Sequence, residues 1–303
     1  MNNDNKPILL AGTRVTGDMP HIGTFYGWIS QITRAKEFFN VVILIADYQS
    51  FDVQLTQPIG VAAQKLKSVF NHFLPGTPVI LESEIPDIIT LVFLIANYVK
   101  PRYYKRIMPI KKYLDENDEK ISIPRLIYPS MMVADLIALN ASCVFNKPEG
   151  KFQHSEILND IIADLNKKNG CDLARIHTFK KESFNIFSLD GTGPMKRNRE
   201  KNGIIEIYDT TEHEILQLLK TAPIQKGKCD KCLVIKSIWD ATLAHEQCTC
   251  FSSCDECLCS LAHKIHSDLT HKTDSTPPFA NHNEIIKSAT KRVKNFIDLL
   301  NKH

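Results

Sequence analysis

The chain reads as an α/β protein built on a doubly wound parallel sheet, followed by a helical, cysteine-rich region. Three observations carry this. Short apolar runs at Ile8–Leu10, Val41–Ala46 and Val79–Leu81 alternate with helical patterns, the mark of βαβαβ units. The first run leads through a loop with small residues into a helix, where an open α/β sheet takes nucleotide phosphate on free helix N–H groups. Beyond residue 210 strand patterns give way to helical ones and seven cysteines fall between Cys229 and Cys259.

The continuous apolar character of the first two runs predicts parallel strands buried on both faces. Helices are expected over Ile22–Phe39 and Val61–Phe73, with Pro75, Gly76 and Pro78 breaking the chain before the third strand. Residues 86–140 read as mostly helical, interrupted at Pro101, Pro109 and Pro124. A short strand follows at Cys143–Phe145, an amphipathic helix at Phe152–Lys168 and a further strand at Ile204–Tyr208. Thr210 or Thr211 then caps a helix, with Glu214 completing a capping box. The last helix, Glu284–Leu300, gathers Ile286, Ala289, Val293, Phe296 and Leu300 on one face. The expected division is a catalytic domain over 1–209 and a helical domain over 210–303.

Composition bounds the class. With 303 residues, 43% hydrophobic and 23% charged, the chain can bury a full core. A net charge of +3 restricts any nucleic-acid surface to a local patch. Lys100, Arg102, Tyr103, Tyr104, Lys105, Arg106, Lys111 and Lys112 mix charge with aromatics in a way that suits RNA, as do Lys287, Lys291, Arg292 and Lys294. Solvated helix faces explain both almost as well. The polar start, MNNDNKP, lacks an apolar signal core and points to the cytoplasm. No apolar run approaches the ~20 residues of a membrane helix.

Candidate chemistry concentrates in a few segments. Thr16, Gly17, His21, Gly23 and Thr24 occupy the turn into the first helix: Gly23 permits close phosphate approach and His21 offers a proton donor. Asp47 and Gln49 end the second strand, where polar groups enter the ligand crevice; for Asp47 a capping role weighs equally. Asp135 is a carboxylate inside an apolar helix, costly unless paired with a ligand N–H or a nearby cation. His154 and Glu156, two residues apart, do not share a helix face and make a poor metal pair. Gly191 opens a basic loop in which Lys196, Arg197, Arg199 and Lys201 could clamp polyphosphate. Cys229-x-x-Cys232 and Cys254-x-x-Cys257, with Cys248 between them, have the density of a metal site in a reducing compartment.

Taken in order, these segments resemble the class I aminoacyl-tRNA synthetases, and within them the tryptophanyl branch. Ala11 to Gly17 and His21-Ile22-Gly23-Thr24 stand where the family has its glycine loop and HIGH-type element. Ala46-Asp47-Tyr48-Gln49 matches the strand end Ala-Asp-x-His, with Gln49 in the histidine's place. Tyr128 to Ile137 matches the tyrosine-proline helix, and Gln153-His154-x-Glu156 the helix after it. Met195-Lys196-Arg197-Asn198 falls on the mobile KMSKS loop. Around Pro148 to Lys151 the family's Gly-Glu-Asp-Gln is scrambled, and one extra residue precedes His21.

The resemblance implies activation of tryptophan by ATP with Mg²⁺ and transfer to tRNA(Trp), in a homodimer. It places Arg14, Thr16, Gly17, His21, Gly23, Thr24, Met195, Lys196 and Arg197 at ATP, with His21, Thr24, Lys196 and Arg197 catalytic. It places Leu10, Gly12, Ala46, Gln49, Tyr128, Met132, Asp135 and Lys151 around tryptophan, with Asp135 accepting the indole N–H. Cys229, Cys232, Cys248, Cys254 and Cys257 would hold one structural Zn²⁺ or an iron–sulfur cluster. The altered motifs leave two other readings: adenylation of an amino acid for a non-tRNA acceptor, or non-catalytic binding of tryptophan, nucleotide or tRNA.

Overall fold

In the computed structural model, the described residues are 6–16, 20–50, 55, 57–104, 106, 123–146, 154–180, 186–191, 195, 204–207, 210–221, 233–242, 254–270 and 280–302. Five parallel strands form one sheet: β1 (Ile8–Arg14), β2 (Asn40–Ala46), β3 (Val79–Leu81), β4 (Cys143–Asn146) and β5 (His177–Lys180). Their order is β3-β2-β1-β4-β5, so the winding reverses between β1 and β4. Register fixes Leu10 opposite both Val42 and Val144.

Strand alternation splits the core. Leu9, Ala11, Val41, Ile43 and Ile45 face one side; Leu10, Val42 and Leu44 face the other. Both faces are covered by helices, which is why these strands are apolar throughout. The first face packs α1 (Ile22–Thr24), a π-helical segment at Phe25–Ile29, α2 (Ser30–Ala35) and α3 (Ile59–Phe73). It also receives α8 (Glu212–Thr221), α9 (Leu233–Ala241) and α10 (Cys254–Thr270). The second face packs α4 (Ile88–Ala96), α6 (Ile123–Leu139), α7 (His154–Asn169) and α11 (His282–Leu300), with Tyr103 of the short α5 (Pro101–Tyr104) buried among them. Arg292 of α11 donates from Nε to the Ala138 carbonyl at 2.8 Å.

Several expectations are corrected. The helix expected to Phe39 ends at Ala35 and passes through the π-helical segment. The first strand runs on to Arg14, so Gly12 and Arg14 belong to the sheet and not to the loop after it. Residues 204–207 do not add a strand: Glu206 makes an isolated antiparallel bridge with His21, and the fifth strand is His177–Lys180. Pro124 is the second residue of α6, at the start of the helix, and Pro129 sits inside it. The capping box at Thr211 and Glu214 forms, each side chain bonding the other's backbone N–H.

Two described cations of the basic patch before α6 are paired within the fold. Lys100 pairs with Asp164, and Arg106 with Asp160 and Glu156, all on α7. Lys105, Lys111 and Lys112 lie outside the described residues. Among the described residues no helix is long and apolar enough to cross a membrane.

Candidate functional site

A cavity of about 110 Å³ opens at the carboxyl ends of β1, β2 and β4, at the point where the strand order reverses. Ligands of doubly wound sheets bind in such a crevice. β1 contributes Leu10, Gly12 and Arg14, β2 contributes Ala46, the 3₁₀ turn Tyr48–Ser50 contributes Gln49, and α6 contributes Tyr128, Met132 and Asp135. Seven of the eight residues expected around tryptophan therefore meet here; Lys151 lies outside the described residues. A larger cavity, about 880 Å³, opens at the opposite ends of the strands, around Ile8, Asn40, Ser142 and Ile176, where this fold does not place its chemistry.

Polar groups line the cavity, among them Arg14, Gln49, Tyr128 and Asp135, and of these four Asp135 is the carboxyl acceptor. Asp135 is 3% exposed, and its Oδ2 accepts from the Gln49 amide at 2.9 Å. Its Oδ1 is buried without a hydrogen-bond partner among the described residues. The same Gln49 nitrogen reaches Oε1 of Glu82, 0% exposed, at 3.4 Å. Burial pushes Asp135 well above the usual carboxylate range, and the neighbouring Glu82 and Asp47 push the same way, against the Gln49 amide. Burial likewise pushes Glu82 up to about 8, opposed chiefly by the Gln49 side chain. Asp47 is a cap: its Oδ1 accepts the Ser83 N–H at 3.0 Å.

Beside this cavity, His21 caps α1. Its Nδ1 accepts from the Gly23 N–H at 3.0 Å, and the Ile22 N–H donates to Ile205 O at 2.9 Å. The apolar run 204–207 is thus the clamp that fixes the entry to the helix. Gly23 is required here by close approach: a Cβ would lie 2.7 Å from Cε1 and 2.8 Å from Nδ1 of the His21 ring. Met195, 7% exposed, stands near the same point, 3.9 Å from that Cβ position. Thr24 is buried, Thr16 exposed. Gly17, Lys196 and Arg197 lie outside the described residues.

A Gly23→Ala substitution should displace the imidazole and lower ATP-dependent activity about a hundredfold, as expected for an ångström-scale error in positioning. The check is a rate assay on folded variant. Activity within twofold of the parent would mean that the His21 conformation is unimportant.

Of the cysteines expected to bind metal, Cys229, Cys232 and Cys248 lie outside the described residues, as does the side chain of Cys254. Cys257 is buried in α10. Among the described residues no three metal-ligating side chains come together. Glu82 was missed by sequence reasoning, although it ends an apolar strand just as Asp47 does.

The order of the strands and the crevice at their carboxyl ends define a doubly wound protein of the nucleotide-binding kind. The family model described as tRNA synthetases class I (W and Y) matches residues 2–214, and the chain belongs to that family. A tryptophan–tRNA ligase of Synechocystis sp. is 27% identical over 239 residues, covering 75% of this chain and 67% of that protein. One from Rickettsia bellii is 24% identical, covering 56% and 53%. The chain thus spans between half and two thirds of these relatives' lengths. Among solved structures, tryptophanyl-tRNA synthetase from Mycoplasma pneumoniae has a TM-score of 0.68 at 15% identity, covering 97% and 96%. The Campylobacter jejuni protein complexed with ADP and tryptophan has 0.63 at 17%, covering 97% and 87%. At these identities the structural likeness concerns the fold.

Proposed function

We propose that the chain activates tryptophan with ATP and transfers the tryptophanyl group to tRNA(Trp). The observation that carries this reading is the buried, unpartnered Oδ1 of Asp135 in the cavity beside β1. An apolar pocket separates indole from phenyl poorly. A buried acceptor separates them well, because a ligand without an N–H leaves it unpaired. The relatives' names support the same substrate.

In the first step a tryptophan carboxylate oxygen attacks the α-phosphorus of ATP. A P–O bond forms, the bond to the bridging oxygen breaks, and pyrophosphate leaves. No covalent enzyme intermediate is needed, so catalysis is positioning and charge stabilisation. His21 and Thr24, at the start of α1, serve the phosphates through their side chains, since the N–H groups of Ile22, Gly23 and Thr24 are taken within the fold. Lys196 and Arg197 serve the leaving pyrophosphate. Mg²⁺ arrives with ATP and offsets phosphate charge. In the second step a ribose hydroxyl of the tRNA 3′ end attacks the adenylate carbonyl and AMP leaves. Residues 1–209 would carry this chemistry and 210–303 would meet tRNA. Cys229, Cys232, Cys248, Cys254 and Cys257 would hold a structural Zn²⁺ or iron–sulfur cluster, and two chains would form the dimer, as in the resemblance.

Tryptophan-dependent ATP–pyrophosphate exchange tests the reading, followed by charging of tRNA(Trp). Exchange with charging is the expected result. Exchange without charging would move the acceptor away from tRNA. Exchange with tyrosine alone would overturn the substrate, and none at all would leave a binding protein.

A further inference from the structure

Glu82 does not line the cavity and belongs to none of the motifs above, yet it is 0% exposed. Gln49 Nε2 spans two buried carboxyls: Asp135 Oδ2 at 2.9 Å and Glu82 Oε1 at 3.4 Å. The remaining oxygens, Asp135 Oδ1 and Glu82 Oε2, have no hydrogen-bond partner among the described residues. The shared Gln49 amide and the backbone N–H groups of Tyr48 and Gln49 at Glu82 are neutral donors, and burial still pushes both carboxyls up, so two anions side by side are not sustained. One of the two carboxyls keeps a proton. Asp135 receives the shorter bond and lines the cavity, where a ligand N–H would add a second donor. Glu82 has the longer contact.

We infer that Glu82 is the positioning residue of the recognition site. It stays protonated when ligand is bound and holds one N–H of the Gln49 amide, so that the other N–H fixes Asp135 as an anion presenting Oδ1. The inference rests on the reading of Asp135 as the acceptor for tryptophan.

The surroundings support this division of roles. Asp47, at the end of β2, and Asp135, on α6, both raise Glu82 electrostatically or are raised by it. Tyr128 on α6 is a neutral phenol pushed up by burial. Arg14 of β1 acts on Tyr128, lowering it. Tyr48 and Gln49 meet Glu82 through backbone N–H groups. On the outer side Glu84 is occupied by Lys67 and faces His282. Burial therefore dominates and Glu82 rests near 8. A ligand N–H that holds Asp135 as an anion raises Glu82 further through the repulsion between the two carboxyls.

The consequence is a pH-dependent affinity of known sign. Below about 8 Glu82 is protonated with or without ligand, and it adds no pH dependence to the affinity; what Asp135 adds there is shared with the neutral variant. Above it, binding must take up a proton, and affinity falls by up to about tenfold per pH unit. Glu82→Gln is a fixed neutral substitute with the same shape. Tryptophan dissociation constants are measured by calorimetry from pH 7 to 9.5 for both proteins; their ratio cancels titration of the amino acid itself and of Tyr128. The wild-type value should match the variant's within threefold at pH 7 and exceed it about tenfold at pH 9.5. A ratio constant over the range would overturn the inference, as would a wild-type profile that shows only the titration of tryptophan. A folded variant that binds more than tenfold more weakly at pH 7 would also overturn it, by requiring an ionised Glu82. Failure of the wild-type protein to bind tryptophan at any pH would instead bring down the substrate reading, and this assignment with it.

Discussion

Asp135→Ala should strip the protein of its preference for tryptophan over phenylalanine. The side chain is buried, and its Oδ1 lacks any partner among the described residues. In the bound state an indole N–H would satisfy it, whereas phenylalanine would cover it and leave it unpaired. A site built around such an acceptor discriminates by about 10⁴-fold, an apolar pocket by about 10²-fold at most. The variant should therefore lose at least about a hundredfold in the ratio of kcat/KM values for amino-acid-dependent exchange. It should also remain folded. Removing one of two neighbouring buried carboxyls relieves repulsion, and the methyl group that remains suits the neighbours Met131, Leu136 and Val133 on the same helix. Retention of the full preference in the variant would show that discrimination lies elsewhere.

Glu82→Gln should stabilise the protein, and by more as pH rises. The carboxyl has an ordinary value of 4.5 and about 8 in the fold. Between those values the folded state holds more protons than the unfolded one, so rising pH costs stability. Below 4.5 the penalty is absent; above 8 it is complete. The full span corresponds to about 5 kcal/mol. The neutral amide does not titrate and escapes it. Asp135 titrates in both proteins, and in the variant it loses the repulsion of an ionised Glu82, so the difference between them reports the pair. Urea unfolding at several pH values should give equal stabilities near pH 4.5 and a gap of several kcal/mol in favour of the variant near pH 8. A gap independent of pH would mean that Glu82 ionises in the fold as freely as in water.

The parts of this architecture that were legible are those whose physics is local. Val41 to Ala46 and Val79 to Leu81 are continuous apolar runs because helices cover both faces of the sheet. Thr211 and Glu214 announce a helix start because each satisfies the other's backbone. The fifth strand was not legible. His177-Thr178-Phe179-Lys180 is a short segment with a single large apolar residue, too brief to show a strand pattern, and serves at the sheet edge, paired on one side only. Ile204 to Ile207 looked like that strand because its isoleucines are buried, but they are buried to clamp the His21 turn.

The cavity was legible through the resemblance, which brought Gly12, Tyr128, Met132 and Asp135 together from distant segments. Composition alone left Asp135 undecided between a ligand and a cation, and in the structure its hydrogen bond comes from the Gln49 amide. Glu82 escaped notice because an acid after an apolar strand ordinarily turns to solvent. Its burial depends on Gln49, 33 residues earlier. The partners of two cations in the basic patch were hidden for the same reason: Lys100 and Arg106 find their acids on α7, 64 and 54 residues away. Pairing over such separations leaves no trace in local pattern.

The most direct measurement is a crystal structure of the protein with tryptophan and a non-hydrolysable ATP analogue. The indole nitrogen should lie about 3 Å from Asp135 Oδ1, with the Gln49 amide still on Oδ2 and the phosphates at the start of α1. Tryptophan bound with its indole elsewhere, or Asp135 turned from the cavity onto a lysine or arginine, would contradict the account.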